Sequence, residues 1–429
     1  MIIKDVVCPF CGCLCDDLDV EVDGQTILKV QNGCTLAEAA LTGNNRLPAP
    51  IRRTATGWEE ISFDDAIRET ADILLAADRP LLYGWSSTHG EAQSIGVHIA
   101  ELLGAVIDNT STVCHGPSIL AIQEVGHPGC TLGQVKNRAD VVVYWGCNPT
   151  EAHPRHMSRY TTFATGFFVP EAQKDRTVIV VDTRRTESAG IADEFIQIER
   201  GRDYEVLAAL RAIVRGRGSI LPREIAGIAR EQLFRVAEIC MKAKFGAIFF
   251  GLGLTMSSGK YKNVRNAIEL TDELNRHTKF TISPLRGHGN VYGSNEVFTW
   301  ITGYPYAVDF ARGIAFYNPG ETTAVDILRR GECDAALIVA SDPGAHFPHA
   351  AAAHLAKIPT LLIDPHRTAT TPLCRLQMPC TMAGIDAEGT AYRMDGVPIR
   401  YKKFLESSYP DDADILKRIH DRIREVQGS

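Results

Sequence analysis

The run Asp140-Val141-Val142-Val143-Tyr144-Trp145-Gly146-Cys147-Asn148-Pro149 decides the fold. Five apolar residues followed at once by Gly, Asn and Pro read as a strand buried on both faces that ends in a tight turn. Outward from it the chain repeats the pattern. Strands are expected at 80–85, 105–108, 141–146, 177–182, 246–251, 280–283, 336–341 and 360–364. Amphipathic helices are expected at 91–103, 204–214, 223–242, 262–276 and 322–330, and Ser62 reads as the N-cap of another that carries Ala66, Ile67, Ala71, Ile73 and Leu74. Apolar runs separated by helices indicate parallel strands, so the class is α/β with doubly wound sheets, the pattern occurring twice.

The chain has 429 residues, 45% hydrophobic and 23% charged, enough for two or three domains with ordinary soluble cores. A net charge of −7 argues against a nucleic-acid partner, which would want a basic face. No run of 18 apolar residues offers a membrane span, and the N-terminus lacks a signal-peptide apolar stretch. Twelve cysteines then suit a reducing, cytoplasmic setting, where thiols serve metals or cores. The segment 45–53, with Pro48 and Pro50, reads as an extended linker, and the charged, helix-like tail from Asp411 either docks on a partner or is solvated.

Chemistry begins with Cys8-Pro9-Phe10-Cys11-Gly12-Cys13-Leu14-Cys15, followed by Cys34. Cys8, Cys11 and Cys15 are spaced C-x2-C-x3-C, and Cys34 can return as a fourth thiolate, as an iron–sulfur cluster requires. A four-cysteine zinc site is the competing reading, although it usually brings two C-x2-4-C knuckles. A disulfide framework belongs to short secreted chains. Cys13 lies outside the four-ligand spacing and is not expected to bind iron.

Four strand ends carry glycine-rich or polar turns, at Gly84, at Gly146 and Asn148, at Asp182 and Arg184, and at Asp342. Each alone is a plain strand-to-helix loop; together they suit a large phosphate-bearing cofactor at the carboxyl ends of strands. In Thr112-Val113-Cys114-His115-Gly116-Pro117, Cys114 is either a small core thiol or a thiolate metal ligand with a histidine beside it. In Ser283-Pro284-Leu285-Arg286-Gly287-His288-Gly289, Arg286 is either solvated or a bidentate clamp for a small carboxylate. Asp386, Glu388 and Asp395 are cofactor contacts or hairpin polar groups. His153 and His156 are candidates for cofactor contacts. His346 and His349 read as structural, and Cys130, Cys240, Cys333 and Cys374 as core thiols.

In order, the four cysteines, Arg46…Pro50…Arg53, Gly57-Trp58, Cys114-His115-Gly116-Pro117 and Trp145-Gly146-x-Asn148-Pro149 resemble the prokaryotic molybdopterin oxidoreductases, and within them the formate dehydrogenases. The segment 384–396 and the short length narrow the resemblance to the tungsten- or molybdenum-bearing B subunits of formylmethanofuran dehydrogenases. It covers essentially the whole chain.

The resemblance implies a 4Fe–4S cluster on Cys8, Cys11, Cys15 and Cys34, and tungsten or molybdenum on Cys114 with His115 and Arg286 beside it. It implies two molybdopterin guanine dinucleotides held near Gly84, Asn148, His153, Asp182, Arg184, Gly251, His288, Asp342 and Asp364. The domains it implies are an iron–sulfur segment (1–60), a discontinuous α/β domain (61–125 and 319–405), a second α/β domain (126–318) and a tail (406–429), with no C-terminal β-barrel. The implied activity is reversible reduction of carbon dioxide to formate. Implied partners are a zinc amidohydrolase-like subunit, a barrel subunit covering the pterin, and ferredoxin-type electron donors. A stand-alone formate dehydrogenase subunit and a non-catalytic scaffold of the same fold are the alternatives. One departure stands out: relatives carry a lysine soon after the fourth cysteine, whereas Thr35-Leu36-Ala37 follows Cys34 here.

Overall fold

In the computed structural model, Val141–Trp145 is a strand with every residue buried. The structure describes residues 1–43 and 45–428; Asn44, inside the expected iron–sulfur segment, and Ser429, the end of the expected tail, lie outside the described residues. The chain divides into two compact units, Cys114–Gly287 and a discontinuous one formed by Met1–Val113 and His288–Ser429.

In the unit Cys114–Gly287, Val141–Trp145 is the centre of a five-stranded, wholly parallel sheet. Its spatial order is Glu194–Gln197, Thr177–Asp182, Val141–Trp145, Gly246–Phe250 and Phe280–Pro284. Val143 stands between Ile179 and Ile248. Side chains alternate across the sheet: Val141, Val143 and Trp145 join the core made with the helices Asp203–Val214, Arg230–Lys242 and Tyr261–Leu274, while Tyr144 turns to the other face against Phe249 and His156. From the central strand the chain first moves one way, to Thr177–Asp182, and later returns on the other side, to Gly246–Phe250. That reversal creates a topological switch point at the carboxyl ends of Val141–Trp145 and Gly246–Phe250, where open α/β sheets bind ligands.

The discontinuous unit repeats the device in a nine-stranded mixed sheet. Its parallel middle runs Val106–Asn109, Pro80–Gly84, Ala335–Val339, Thr360–Ile363, Leu376–Met378. Antiparallel strands flank it, Val308–Asp309 and Phe316–Tyr317 at one edge, Ile51–Arg53 and Trp58–Glu60 at the other. The switch point falls between Pro80–Gly84 and Ala335–Val339. A separate three-stranded antiparallel sheet, Ile2–Val6, Leu18–Asp23 and Thr26–Gln31, brackets the N-terminal cysteines. Among the described residues no sheet closes into a barrel.

Ser62 caps the helix Phe63–Ala76, accepting the Asp65 amide N–H. Three expectations need correction. The helix expected from residue 223 starts at Arg230. Before it, Glu224–Ile225 and Ile228–Ala229 form a hairpin, because Ala226 and Gly227 both take positive φ (52° and 79°), which a two-residue turn of this hand requires. The expected linker is in part sheet, since Ile51–Arg53 pairs on both sides and its amides thereby find partners. The tail is neither solvated nor left for a partner. The helix Asp412–Gln427 buries Ile415, Leu416, Ile419 and Ile423 in its own unit's core.

Candidate functional site

The N-terminal thiols are gathered by a tight loop in which the Cys8 N–H donates to Cys15 O (2.8 Å) and the Leu14 N–H to Cys11 O (3.1 Å). Cys34 arrives as the residue preceding the helix Thr35–Thr42. Burial pushes the Cys8 thiol well up, and Cys11, Cys15 and Cys34 are close enough to push it further. Four thiols converging on one partly buried place would repel once ionised, so the arrangement gains stability only with cationic metal among them. A single tetrahedral zinc would bring its sulfurs to about 3.8 Å of one another, from Zn–S bonds of about 2.3 Å. No three of the four sulfurs all approach within 4.8 Å; among the described residues only His89, Asp411 and Asp412 make such a group. Cys13 is fully buried and hydrogen-bonds Cys11.

The His89 group is a different object. Its ring nitrogens lie 3.0 Å from Glu91, 3.0 Å from Asp411 and 3.2 Å from Asp412. Burial alone would lower the imidazole, but these carboxylates push it up to about 12. It is an imidazolium already partnered by acids, tying the start of the helix Gly90–Leu103 to the start of the C-terminal helix.

In the unit Cys114–Gly287, Cys114 and His115 lie directly before the helix Gly116–Val125, and Arg286 lies just past the strand Phe280–Pro284. His115 joins the two. Its Nε2 is 3.2 Å from Leu285 O and its Nδ1 2.9 Å from the Ser118 hydroxyl, and the ring is buried. Burial, then the Arg286 charge, pushes this imidazole down to about 3, so it is neutral. His153 Nε2 is 2.8 Å from Arg286 O, and His127 Nε2 2.8 Å from Ile282 O. Three imidazoles thus fasten carbonyls along the segment that bears Arg286. The guanidinium itself is buried. Burial pushes the Cys114 thiol up to about 11, while the Arg286 charge draws it back down. Thr255 Oγ1 donates to Cys114 O (3.2 Å), bracing the backbone from the other side.

The switch points place the remaining expected residues. In this unit Gly146 and Gly251 allow the two strand ends to touch: the Gly253 N–H donates to Gly146 O (2.9 Å), and a Cβ on Gly251 would stand 2.7 Å from Cys147 Cβ. Asn148 is committed within the protein, accepting from the hydroxyls of Ser188 (2.6 Å) and Thr150 (2.7 Å) and donating to Glu187 (2.9 Å). Asp182 accepts the Thr183 N–H (2.7 Å), and Arg184 is exposed beside it.

In the discontinuous unit, Gly84 has φ 126° and a Cβ there would meet Val339 O at 2.0 Å, so only glycine fits. The next residue, Trp85, holds φ 72°, and Ala340 on the facing strand end holds φ 48°. Non-glycine residues pay strain there, and strain of this kind clusters at ligand sites. Beside this point lies a cavity of ≈ 280 Å³ that His288, Asp342 and Asp364 line together with Pro9, Phe10 and Ser341. Asp342 is committed to Thr370 (N–H 2.8 Å, hydroxyl 2.6 Å). Burial pushes the Asp364 carboxyl up to about 7. Glu388 and Asp395 pair with Arg400 and Arg393 about the hairpin Gly389–Tyr401, and Asp386 pairs with the sequence-remote Arg46. His346 is exposed and bonded to Asp342 O, and His349 is exposed. Cys240, Cys333 and Cys374 are core thiols.

Sequence reasoning missed His127, Ser118, Thr255 and Gly253. The Gly251-Leu252-Gly253 doublet was the one signal that could have drawn attention to the second strand end.

Two doubly wound sheets with a switch-point crevice each, and a Cys-His segment fastened to an arginine loop, define the molybdopterin type of α/β fold. Solved structures share it: the formyltransferase/hydrolase complex FhcABCD from Methylorubrum extorquens in complex with methylofuran (TM-score 0.74, 22% identity, 89% of this chain and 100% of that one), and acetylene hydratase from Pelobacter acetylenicus (TM-score 0.73, 15% identity, 98% and 69%). No family model matches the chain. Its sequence is 49% identical to the B subunit of the tungsten-containing formylmethanofuran dehydrogenase 2 of Methanocaldococcus jannaschii, over 99% of both chains. It is 46% identical to the protein of the same name from Methanococcus maripaludis, over 99% of this chain and 100% of that one. Formate dehydrogenase H of Escherichia coli is 24% identical over 79% of this chain and 56% of its own length. The chain belongs to the family of formylmethanofuran dehydrogenase B subunits, and is an oxidoreductase subunit.

Proposed function

We propose that this chain is the subunit in which carbon dioxide is reversibly reduced to formate, at a tungsten or molybdenum centre carried by two molybdopterin guanine dinucleotides. The observation that carries the reading is the tie between the Cys114-His115 segment and the Leu285-Arg286 segment through His115 Nε2 (3.2 Å). It brings a thiol and a guanidinium into one buried place, as the conversion needs: two electrons and one proton enter, and a carboxylate charge appears. When bound, the metal–pterin group supplies the two-electron chemistry and a 4Fe–4S cluster on Cys8, Cys11, Cys15 and Cys34 relays electrons.

The protein's own residues have these tasks. Cys114 would hold the metal as a thiolate, the form that the Arg286 charge favours. Arg286 receives the carboxylate of formate through a bidentate pair and stabilises that charge as it develops. His115, neutral and bonded at both nitrogens, positions the arginine segment instead of ferrying protons. The crevice at Gly146, Asn148, Asp182, Arg184 and Gly251 would hold one dinucleotide. The cavity at Gly84, His288, Asp342 and Asp364 would hold the other, Asp364 accepting N–H groups of a purine edge. His153 bonds Arg286 O through Nε2 and keeps its buried Nδ1 for a cofactor contact.

The products and partners follow from the family. Formate would pass to a zinc amidohydrolase-like subunit that joins it to methanofuran. A barrel subunit would cover the pterin, and ferredoxin-type proteins would deliver electrons. The likeness to the FhcABCD complex concerns fold alone, so a scaffold reading is separated from this one by chemistry. The test is metal analysis and carbon dioxide reduction with Cys114→Ser and Arg286→Lys. Loss of activity in both supports the site; full activity with metal bound in both sinks it.

A further inference from the structure

A feature remote from this chemistry stands at the opposite end of the five-stranded sheet, where its strands begin. The loop between His156–Arg159 and Thr177–Asp182 carries three phenylalanines outward: Phe163, Phe167 and Phe168 are 44%, 81% and 57% exposed. The loop is built to hold them. The buried Arg176 guanidinium donates to the carbonyls of Ala139 (3.0 Å), Lys136 (2.7 Å), Thr162 (3.5 Å) and Ala164. The Phe167 and Phe168 amides are fixed by the Asn137 side chain (3.1 Å) and carbonyl (2.9 Å). Gly166 presses so closely on Lys136 that a Cβ would meet its carbonyl at 2.0 Å. A rigid loop that keeps aromatic rings in water forgoes burial it could otherwise gain, and such patches mark interaction surfaces.

Beside this aromatic knob lies a hole. A cavity of ≈ 270 Å³ has Phe168, Val169 and Phe245 among its lining, with Arg138, Lys244 and Lys279 around them. Its two carboxylates are committed to the backbone: Asp140 accepts from the Lys244 and Phe245 amides (2.9 Å each) and Asp175 from the Glu171 amide (2.7 Å). Arg138 lies over the Phe168 ring at 4.7 Å, joining knob and hole. The surface is therefore apolar at its centre, and beside it three cations outnumber two carboxylates, although the chain as a whole carries a net charge of −7.

We propose that this face is the docking surface for a different polypeptide of the enzyme complex, one that presents an apolar cup for Phe167 next to a projecting acidic residue for the cationic cavity. The inference rests on the reading of this chain as one subunit of several. A preformed aromatic anchor with a charged rim is the pattern that carries binding energy at protein interfaces. Ligands of open α/β sheets lie at the other end, at the carboxyl termini of the strands, so a small substrate is not the occupant.

The test uses the co-expressed complex, wild type and carrying Phe167→Ser, the pair Lys244→Glu and Lys279→Glu, or Ile220→Ser as a control at an exposed apolar residue elsewhere (78% exposed). Native mass spectrometry over a salt series reads the stoichiometry of the complex. Phe167→Ser should weaken retention of one particular partner about tenfold or more. The charge-reversed pair should weaken the same partner and flatten its salt dependence, and Ile220→Ser should do neither. If the wild-type complex assembles and both sets of variants retain every partner as it does, the proposal is wrong. It is also wrong if the partner lost is a second copy of this chain. A wild-type chain that assembles with no other polypeptide would instead overturn the multi-subunit reading. The charge-reversed pair, being on exposed side chains, keeps the test open should Phe167→Ser misfold.

Discussion

Two buried imidazoles fasten the backbone at Leu285 and Arg286, and that makes them testable. His153 donates to Arg286 O from a buried position. His153→Ala leaves that carbonyl without its partner, at a cost of about 1–3 kcal/mol, part of which should appear as displacement of the guanidinium. The expected outcome is a raised KM for formate with a smaller fall in kcat, and partial recovery in His153→Gln, which can still donate. An unchanged KM in both variants would mean that the carbonyl contact does not position the arginine. At the thiols, Cys13→Ala should retain iron and Cys15→Ala should lose it; the reverse would shift the register of the cluster ligands. The ligand types were legible in the sequence because thiols and an Arg-Gly-His turn are conspicuous. The braces that Asn148 and Asp342 make within the protein were not. A polar residue at a strand end looks the same whether it faces a ligand or braces its own loop.

Two elements carry predictions of stability. The C-terminal helix buries Ile419 completely within its unit's core, and Ile419→Ala should cost about 2–5 kcal/mol, read as a lowered denaturation midpoint. Its first turn is fastened by His89, so its docking depends on pH from both sides. His89 is raised to about 12, so its contribution is complete below the unfolded value near 6.5 and drains away as pH climbs toward the folded one. Glu91 is depressed to about 2, its burial outweighed by the bond to His89, so its share is present above about 4.5 and lost as pH falls through 2. Amide exchange in the helix should therefore be slowest between about pH 4.5 and 6.5 after correction for the intrinsic rate; protection rising steadily to pH 9 would refute the tie. The eight expected strands lie within about two residues of their places, since runs buried on both faces leave no polar interruptions, whereas Glu194–Gln197, Leu376–Met378 and the short antiparallel strands carried too little apolar run to be read. The tail's destination was not readable: its apolar stripe of Ile415, Leu416, Ile419 and Ile423 says that something covers it, and only the fold shows that the cover is the chain itself.

At the scale of the molecule, the same doubly wound device occurs in both units, each with strand ends close enough to need glycine. The repetition was legible as two sets of alternating strands and helices. The discontinuity was less so, because the sheet order of the Met1–Val113 and His288–Ser429 unit depends on pairings between residues more than two hundred positions apart. The fold alone does not decide redox chemistry, for it is shared with a formyltransferase/hydrolase complex at 22% identity. What decides it is whether the chain carries the proposed metal beside Cys114. Elemental analysis of the purified native complex is the most direct measurement. Iron together with a stoichiometric amount of tungsten or molybdenum for each copy of this chain is the expected result; iron with neither metal would contradict the proposed centre.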